Sequence, residues 1–399
     1  MFSQEKWAGT APWGVADLTQ RVNITTVAAE AGVGVGTVSR VLNGSPQVRE
    51  ATRRRVLDVI GRLDYRPNRV AAALSRGTTS SVSVMVTDLT RPSVVERLAG
   101  VLAVLDQHGY DTVVLNVEAP EQRDRYLTAL ATQRRADGVI MVSLPLGKAH
   151  TDVLGAAGIP LVMVDATATG IVRYMIDNVA GGRLATEHLL GLGHRRVAFL
   201  GEATVRSFSF ASTELRLRGY KLARRDAGEP AESDVIRLVP GRGAEVSVME
   251  AANELIDLGP RPTAIFAASD VHAMGVLHAV EQRGLRVPED ISLVGFDDVE
   301  SAALVGLTTV RQPLYESGAR AAKRLCQLMN GEPGSGRNVV LPVELVDRHS
   351  TGPPGGAGAG SGTSVPEARA AGPPRANRDG LHPTRTRRSG SATALPEPV

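Results

Sequence analysis

The chain has 399 residues, too many for one ordinary domain, and its 43% hydrophobic content is enough to fill several cores. One cysteine, Cys326, excludes an intramolecular disulfide and a cysteine-rich metal site, and no apolar run approaches a signal peptide or a membrane span of about 18 residues, so a cytoplasmic protein is predicted. The net charge of +3 conceals a basic segment, residues 21–76, whose ten arginines outnumber four acidic residues and predict nucleic-acid binding, with a merely solvated face as the alternative.

The first folded unit predicted along the chain is a small helical head. Asn23 is a good N-cap for a short helix over residues 24–31, and Gly32 suits a left-handed turn. A second helix is predicted from about Gly34 to Leu42. Two short helices joined by a glycine-containing turn are typical of a helix-turn-helix, whose second helix enters the major groove of DNA. A third helix is expected to face Val56, Ile60 and Leu63 inward and Arg53, Arg54 and Arg55 outward.

The following part, about residues 80–350, alternates short β-branched runs with longer segments, most of them of helical periodicity. The runs are residues 81–89, 111–117, 136–143, 159–165, 195–202, 262–270 and 291–298. Such alternation predicts parallel sheets covered by helices on both faces. Four runs contain an aspartate near their carboxyl end, at Asp88, Asp165, Asp270 and Asp297, where ligands bind in open α/β sheets. A ligand cleft is therefore expected, although helix capping is an equal alternative for each aspartate taken alone.

The last segment, residues 351–399, differs in composition from the rest. It holds nine glycines and eight prolines among 49 residues, together with six arginines. This low-complexity composition predicts a disordered tail. Arg385, Arg387 and Arg388 offer a weak nonspecific attraction to DNA, but we interpret the segment as a passive solvated tail.

Several segments are recognisable when they are taken together. They include ITTVAAEAGVGVGTVSRVLNGSPQV (24–48), DNVAGGRLATEHLLGLGHRRVAFLG (177–201), RPTAIFAASDVHAMG (261–275) and VPEDISLVGFDD (287–298). These segments closely resemble the lactose-repressor (LacI) family of bacterial regulators, and the resemblance extends over about residues 22–351. It implies an all-α helix-turn-helix head and an α/β two-lobed sensor domain that resembles periplasmic sugar-binding proteins.

The resemblance, together with the composition of the two ends, divides the chain into five predicted parts. They are a disordered N-terminal extension (1–21), the helix-turn-helix domain (22–67), a hinge helix and linker (68–79), the effector-binding domain (80–350) and the disordered Gly/Pro/Arg-rich tail (351–399). Within the effector-binding domain, the first lobe is expected at about 80–176 and 305–335. The second lobe is expected at about 177–304 and 336–350.

The resemblance also implies which residues contact DNA. They are Asn23, Val35, Gly36, Thr37, Ser39, Arg40 and Asn43 in the head, and Asn68, Arg69, Ala71 and Leu74 in the hinge. Val35 and Gly36 match the positions that usually discriminate bases, but both are too short for bidentate hydrogen bonds. Base selectivity is therefore expected to depend on Arg40 and on DNA shape. Leu74 matches the leucine that inserts into the minor groove, with packing against the sensor as the alternative.

The effector contacts implied by the resemblance are Asp165, Arg216 and Asp270, with Asp88 as a fourth. An arginine and carboxylates around one cleft suit a polyhydroxylated ligand, because each makes charge-assisted bonds to hydroxyls. The family usually has Asn-Pro-Phe-Phe where this chain has Arg91-Pro92-Ser93-Val94. Loss of both aromatics removes a stacking platform and argues against a simple hexose. No cofactor and no metal site are expected.

Together these features predict a sequence-specific transcriptional regulator, in the first place a repressor. A homodimer is expected to bind a near-palindromic double-stranded operator in the cytoplasm, at the nucleoid and away from membranes. A sugar or related polyhydroxylated effector is expected to control that binding. A solute-binding protein without DNA binding is the alternative, which the basic head disfavours. An enzyme is not expected, because the sequence shows no paired nucleophile and base, metal-ligand cluster or phosphate loop.

Overall fold

The computed structural model describes residues 22–42, 44–65, 79–203, 212–230, 234–240, 244–333 and 338–355. The predictions for the N-terminal extension, for most of the hinge and for the tail from residue 356 lie outside these described residues. So do those for Asn43, Asn68, Arg69, Ala71 and Leu74. Among the described residues, no helix combines the length and the apolar character that crossing a membrane requires.

Three short helices form the head. They are α1 (Ile24–Ala31), α2 (Val35–Leu42) and α3 (Glu50–Arg62). The side chain of Asn23 caps α1 by accepting a hydrogen bond from the backbone N–H of Thr26 at 2.9 Å, and Gly32 ends the helix at φ 62°. Val27, Val38 and Val56, one from each helix, are fully buried in one core, and each burial stabilises the head by about 1.5–3 kcal/mol. The predicted helix-turn-helix is confirmed.

The third helix differs from its prediction in two details. Val56 and Val59 are buried, whereas Ile60 is only partly buried, so the apolar stripe is rotated slightly. Arg53, which was expected to point outward, donates from Nη2 to the carbonyl oxygen of Ser45 at 2.5 Å. This hydrogen bond ties the loop after α2 to α3.

Two lobes, each built on a six-stranded sheet, form the rest of the described chain. The strands of lobe 1 are β1 (Ser81–Val86), β2 (Asp111–Asn116), β3 (Gly138–Val142), β4 (Leu161–Val164), β5 (Val172–Ile176) and β11 (Asn338–Leu341). The strands of lobe 2 are β6 (Val197–Glu202), β7 (Val235–Val239), β8 (Ala264–Ala267), β9 (Ser292–Asp297), β10 (Thr308–Arg311) and β12 (Glu344–Val346). The helices of lobe 1 are α4 (Pro92–Gln107), α5 (Pro120–Gln133), α6 (Lys148–Ala156) and α12 (Leu314–Met329). The helices of lobe 2 are α7 (Asn178–Gly191), α8 (Ser212–Asp226), α9 (Ala244–Ile256), α10 (Asp270–Gln282) and α11 (Glu300–Leu304).

The two sheets have closely similar topology. The order in lobe 1 is β11-β5-β4-β3-β1-β2, and all its pairs are parallel. The order in lobe 2 is β12-β10-β9-β8-β6-β7, in which only β12 runs antiparallel to its neighbour. Every residue of β3, β4, β8 and β9 is buried, as expected for strands covered by helices on both faces. The predicted α/β class is confirmed, and all seven predicted strands are present.

The chain crosses between the lobes after β5, after β10 and after β11. The expected lobe boundaries near residues 305 and 336 are therefore wrong. Strand β10 pairs with β9 and stays in lobe 2, so that crossing follows Arg311. Strand β11 pairs with β5 in lobe 1, so the return follows Leu341. A four-residue strand carries too little periodicity to show which sheet it joins.

Glycines in each lobe let two helices approach closely. A Cβ at Gly318 of α12 would lie 1.9 Å from the carbonyl oxygen of Arg97 in α4. In lobe 2, a Cβ at Gly182 of α7 would lie 2.2 Å from the carbonyl oxygen of Arg216 in α8. The absence of a side chain at these glycines therefore sets the backbone position of two buried arginines.

Replacing Gly182 with alanine tests this packing. The added methyl group has no free space, so we expect Gly182→Ala to lower the free energy of unfolding by about 1–3 kcal/mol. Gly191→Ala, in the same helix, is the matched control, because a Cβ there meets no atom within 4 Å. Chemical denaturation of the full chain measures both variants. Equal stability of the two would contradict close packing at Gly182.

Candidate functional site

A concave surface lies beside the second helix of the head, and we call it the head concavity. Its lining is Val33, Gly34, Thr37 and Arg40 from the turn and α2, and Gln47, Val48, Arg49, Thr52 and Arg55 from the next loop and α3. Arg40, Arg49 and Arg55 are exposed. Three exposed guanidinium groups around one hollow favour a polyanion such as a nucleic-acid backbone.

The structure places the sequence-predicted head residues as follows. Val35 is 41% exposed, and Gly36 borders open space. Thr37 and Ser39 are half-buried, whereas Arg40 is exposed in the last turn of α2. Asn23 also has a structural role, since its Oδ1 accepts hydrogen bonds from the backbone N–H and the hydroxyl of Thr26 at 2.9 and 3.1 Å. Contact of these residues with DNA stays a prediction.

The sequence-based set did not include four polar residues of the head concavity. They are Gln47, Arg49, Thr52 and Arg55. Only the packing of α3 across α2 brings them beside Arg40, and no spacing rule for a helix-turn-helix shows this. The one indication in the sequence that this part of the head contributes to the surface was the run of arginines in the first half of α3.

A second candidate site consists of six buried polar side chains where the two lobes meet, and we call it the cleft cluster. They are Arg97, Asp165, Asn178, Arg216, Asp297 and Gln312, each no more than 6% exposed. Arg97 and Asp165 belong to lobe 1, whereas Arg216 and Asp297 belong to lobe 2. Asn178 comes after the first crossing between the lobes, and Gln312 comes after the second. The cluster therefore joins both lobes and two of the three segments that connect them.

Direct contacts run through the cleft cluster from lobe 1 to lobe 2. The Arg97 Nη2 lies 3.3 Å from Asp165 Oδ2 and donates to Gln312 Oε1 at 2.7 Å. The amide nitrogen of Gln312 donates in turn to Asp297 Oδ1. Asp297 Oδ1 lies 3.5 Å from Arg216 Nη1. Two buried cations thus alternate with two carboxylates, which is the arrangement that buried charges require.

Arg216 is held by hydrogen bonds from Nε and Nη1 and by an aromatic ring. Its Nε donates to Asn178 Oδ1 at 2.9 Å, and its Nη1 donates to the carbonyl oxygen of Ala268 at 2.5 Å. The guanidinium lies 3.6 Å from the centre of the Phe296 ring. Burial lowers the pKa of Arg216 below its ordinary value, but an arginine stays charged at neutral pH. Arg216 therefore presents a preorganised positive charge to the cleft.

Three polar atoms of the cleft cluster have no hydrogen-bond partner. They are Arg97 Nε, Asp165 Oδ1 and Asn178 Nδ2, and they make up three of the five such buried side-chain atoms in the described part of the chain. A buried polar group without a partner costs about 1–3 kcal/mol, so several in one place indicate a site for a ligand. Two donors and one acceptor suit hydroxyl groups, because a hydroxyl both donates and accepts.

Asp270, one of the four predicted effector residues, is engaged within lobe 2. Its Oδ2 accepts from the backbone N–H of Val299 at 2.9 Å, and its Oδ1 accepts from the Thr309 hydroxyl at 2.6 Å. Its charge still influences Arg216. Asp297, which the predicted set did not include, contacts the arginine more directly. Asp297 ends a buried strand and Asp270 comes soon after one, so the strand pattern indicated both aspartates without ranking Asp297 above Asp270.

Asp88 lies outside the cleft cluster. Its Oδ1 accepts from the Thr90 hydroxyl at 2.6 Å, and its Oδ2 accepts from Arg91 Nε at 3.1 Å. Burial opposes ionisation of Asp88, but these hydrogen bonds outweigh it and lower the pKa of the carboxyl. The structure thus brings Asp165, Arg216 and Asp270 together and holds Asp88 in a separate ion pair.

Comparison with protein families gives two matches. The model for bacterial regulatory proteins of the lacI family matches residues 23–68. The model for a periplasmic binding protein-like domain matches residues 186–351. Catabolite control protein A of Priestia megaterium is 33% identical over 334 residues, which are 83% of this chain and 99% of that protein.

Solved structures show the same similarity. The lac repressor dimer bound to operator and the anti-inducer ONPF matches with a TM-score of 0.73 and 31% identity, over 84% of this chain and 100% of that one. The complex of the transcriptional regulator CelR with cellobiose matches with a TM-score of 0.60 and 32% identity, over 83% and 100% of the two chains.

The surroundings of Asp270 predict a pH dependence of stability. Burial, and secondly the charge of Asp297, raises the pKa of Asp270 to about 7. Because the unfolded carboxyl titrates near pH ~3.9, the folded chain binds more protons in this window, and Asp270 makes stability fall as the pH rises from about 4 to about 7. We expect Asp270→Asn to reduce this fall, as measured by thermal unfolding across the window. Asp152→Asn, at an exposed site, is the control. The same dependence of stability on pH in the wild type and in both variants would contradict the prediction.

Proposed function

The chain belongs to the lacI family of bacterial regulatory proteins and is a DNA-binding transcriptional regulator, and we propose that it is a repressor whose dimer binds a near-palindromic operator under the control of a polyhydroxylated effector. The lac repressor dimer, which binds its operator, and CelR, which binds cellobiose, support the partners in this proposal.

The observation that carries the effector proposal is the set of unpaired atoms in the cleft cluster. A hydroxyl of the ligand donates to Asp165 Oδ1 and accepts from Arg97 Nε or Asn178 Nδ2, which removes the cost of leaving these atoms unpaired. The buried guanidinium of Arg216 adds a charged donor. A sugar or related polyol has enough hydroxyls to satisfy several of these groups at once. Ser93 and Val94 stand where the family motif has two aromatic residues, so in this proposal polar contacts give most of the specificity for the effector.

The head concavity supports the proposed operator contact. Arg40 projects from the last turn of α2 into the same hollow as Arg49 and Arg55. In this proposal α2 enters the major groove, where Arg40 contacts a base edge and the other two arginines contact phosphates. Thr37 lines the same hollow, and in this proposal it reaches the DNA backbone. Val35 offers only an apolar surface, which suits a thymine methyl group.

We further propose that the protein has no catalytic role and acts in the cytoplasm, where its DNA lies. Close to the cleft, the hydroxyl of Ser269 lies 2.5 Å from His272 Nδ1, a pair that resembles a nucleophile and its base. Burial lowers the pKa of His272 to about 3, so the imidazole is a weak base and does not activate the serine at neutral pH. The relatives are also regulators rather than enzymes.

In the proposed mechanism the effector changes the relation between the lobes. Because the cleft cluster joins both lobes and two of their connections, a ligand that pairs its free atoms favours one arrangement of the lobes. Operator affinity changes only as far as the effector binds the two arrangements differently. Release of DNA by the effector is the commoner outcome in the family, and we propose it for this chain.

The first test concerns DNA. Selection from a random duplex pool should enrich a near-palindrome with the wild-type protein, and Arg40→Ala should lose that preference because a base contact is removed. Arg54→Ala is the matched control, since Arg54 is exposed on α3 outside the head concavity and should keep the motif. No enrichment by the wild-type protein would contradict the proposed function.

The second test concerns the effector. A panel of sugars and polyols, with cellobiose among them, is screened by thermal shift, and calorimetry gives the dissociation constant of the hit. Asp165→Asn should weaken binding about 10- to 100-fold, the effect of losing a charge-assisted hydrogen bond, and should leave operator binding intact. Equal affinity of the variant would remove Asp165 from the effector site.

A further inference from the structure

An ion pair connects the two lobes outside the cleft cluster. Arg91, at the N-terminus of α4 in lobe 1, pairs through Nη2 with Glu202, the last residue of β6 in lobe 2. The side chain of Arg91 is 42% exposed and that of Glu202 is 20% exposed. These residues therefore meet where the boundary between the lobes reaches solvent, whereas the cleft cluster is buried. We call this contact the mouth ion pair.

The chain builds a support for Arg91 in lobe 1. Asp88 Oδ2 accepts from Arg91 Nε at 3.1 Å, while the Thr90 hydroxyl holds the other carboxylate oxygen. The backbone N–H of Arg91 donates to the carbonyl oxygen of Asp88 at 3.1 Å. Burial disfavours the charge of Arg91, but Glu202 and Asp88 outweigh it and raise the pKa of the guanidinium. Arg91 is thus oriented by its own lobe before it reaches across.

We propose that the mouth ion pair holds the two lobes closed when no effector is bound, with Asp88 as the residue that positions Arg91. The inference rests on the proposed function only in taking the cleft as the effector site. An effector enters only after the Arg91 to Glu202 contact has opened. The ion pair therefore sets the fraction of closed protein and, through it, the apparent effector affinity.

Two kinds of contact between the lobes respond differently to salt. The mouth ion pair faces water, so mobile ions screen it, and high ionic strength weakens it. The Arg97, Gln312 and Asp297 contacts are dry and are screened much less. Closure that depends on the mouth ion pair is therefore sensitive to salt, whereas closure by the cleft cluster alone is not.

Distance measurement on the ligand-free full chain tests the proposal. Spin labels at Glu121→Cys in α5 and Glu281→Cys in α10, both exposed, report the separation of the lobes by double electron–electron resonance. Cys326→Ser removes the native thiol, and dilution with unlabelled chain suppresses distances between the subunits of a dimer. We expect a narrow distribution that broadens to longer distances in Arg91→Ala, in Glu202→Gln and at about 1 M salt, with about a fivefold rise in the open fraction.

Two further variants make the outcome decisive. The exchange Arg91→Glu with Glu202→Arg is made together with Asp88→Asn, so that the new carboxylate does not face a second one. It keeps both charges of the pair and should restore most of the narrow distribution, which a merely damaged lobe would not do. Lys148→Ala, which removes an exposed ion pair within α6, should change nothing. An unchanged distribution in Arg91→Ala and at high salt overturns the proposal, as does an equal change in Lys148→Ala. The measurement uses neither operator nor effector, so it tests the mouth ion pair even if the proposed function is wrong.

Discussion

The placement of two arginines in the interior, one from each lobe, is the constraint on which the cleft depends. Arg97 and Arg216 are both buried, and a guanidinium charge removed from water is tolerated only with partners of opposite charge and correct geometry. Asp165 and Asp297 supply those charges, and Gln312 joins the two halves. In each lobe, a glycine on the facing helix (Gly318 or Gly182) lets that helix pack directly against the backbone of the arginine. In the proposed effector complex, a ligand pairs the atoms that remain free and so offsets part of the cost of this buried network.

The head and the cleft use charge in opposite ways. The arginines of the head concavity are exposed, and in the proposed operator complex Arg49 and Arg55 attract any duplex in a manner that salt weakens, while Arg40 contacts a base edge. The charges of the cleft are dry and fixed in direction, which favours selection among small molecules by hydrogen-bond geometry. A regulator of this kind needs both, since one part must search a long polyanion while the other must discriminate between similar metabolites.

The strand pattern predicted the parallel sheets because buried strands are continuous apolar runs. Five of the described strands, β5, β7, β10, β11 and β12, were missed. Strand β10 (Thr308–Arg311) is an example, since Val310 is its only apolar residue and it forms no apolar run. Arg97 was missed because its partners lie 68 and 215 residues away in the sequence. The preference for Asp270 over Asp297 had a similar cause. Both end a strand run, and only the positions of Val299 and Thr309 show which carboxylate is already occupied.

The central claim is that the cleft and the head are coupled, and reciprocal titration tests it most directly. The operator dissociation constant is measured with and without the sugar that binds the cleft, and the sugar dissociation constant with and without operator. The account predicts that both constants change by the same factor, about 5- to 150-fold, because coupling between two binding sites is reciprocal. A factor of one in both titrations would show two independent binding sites on one chain and would contradict it.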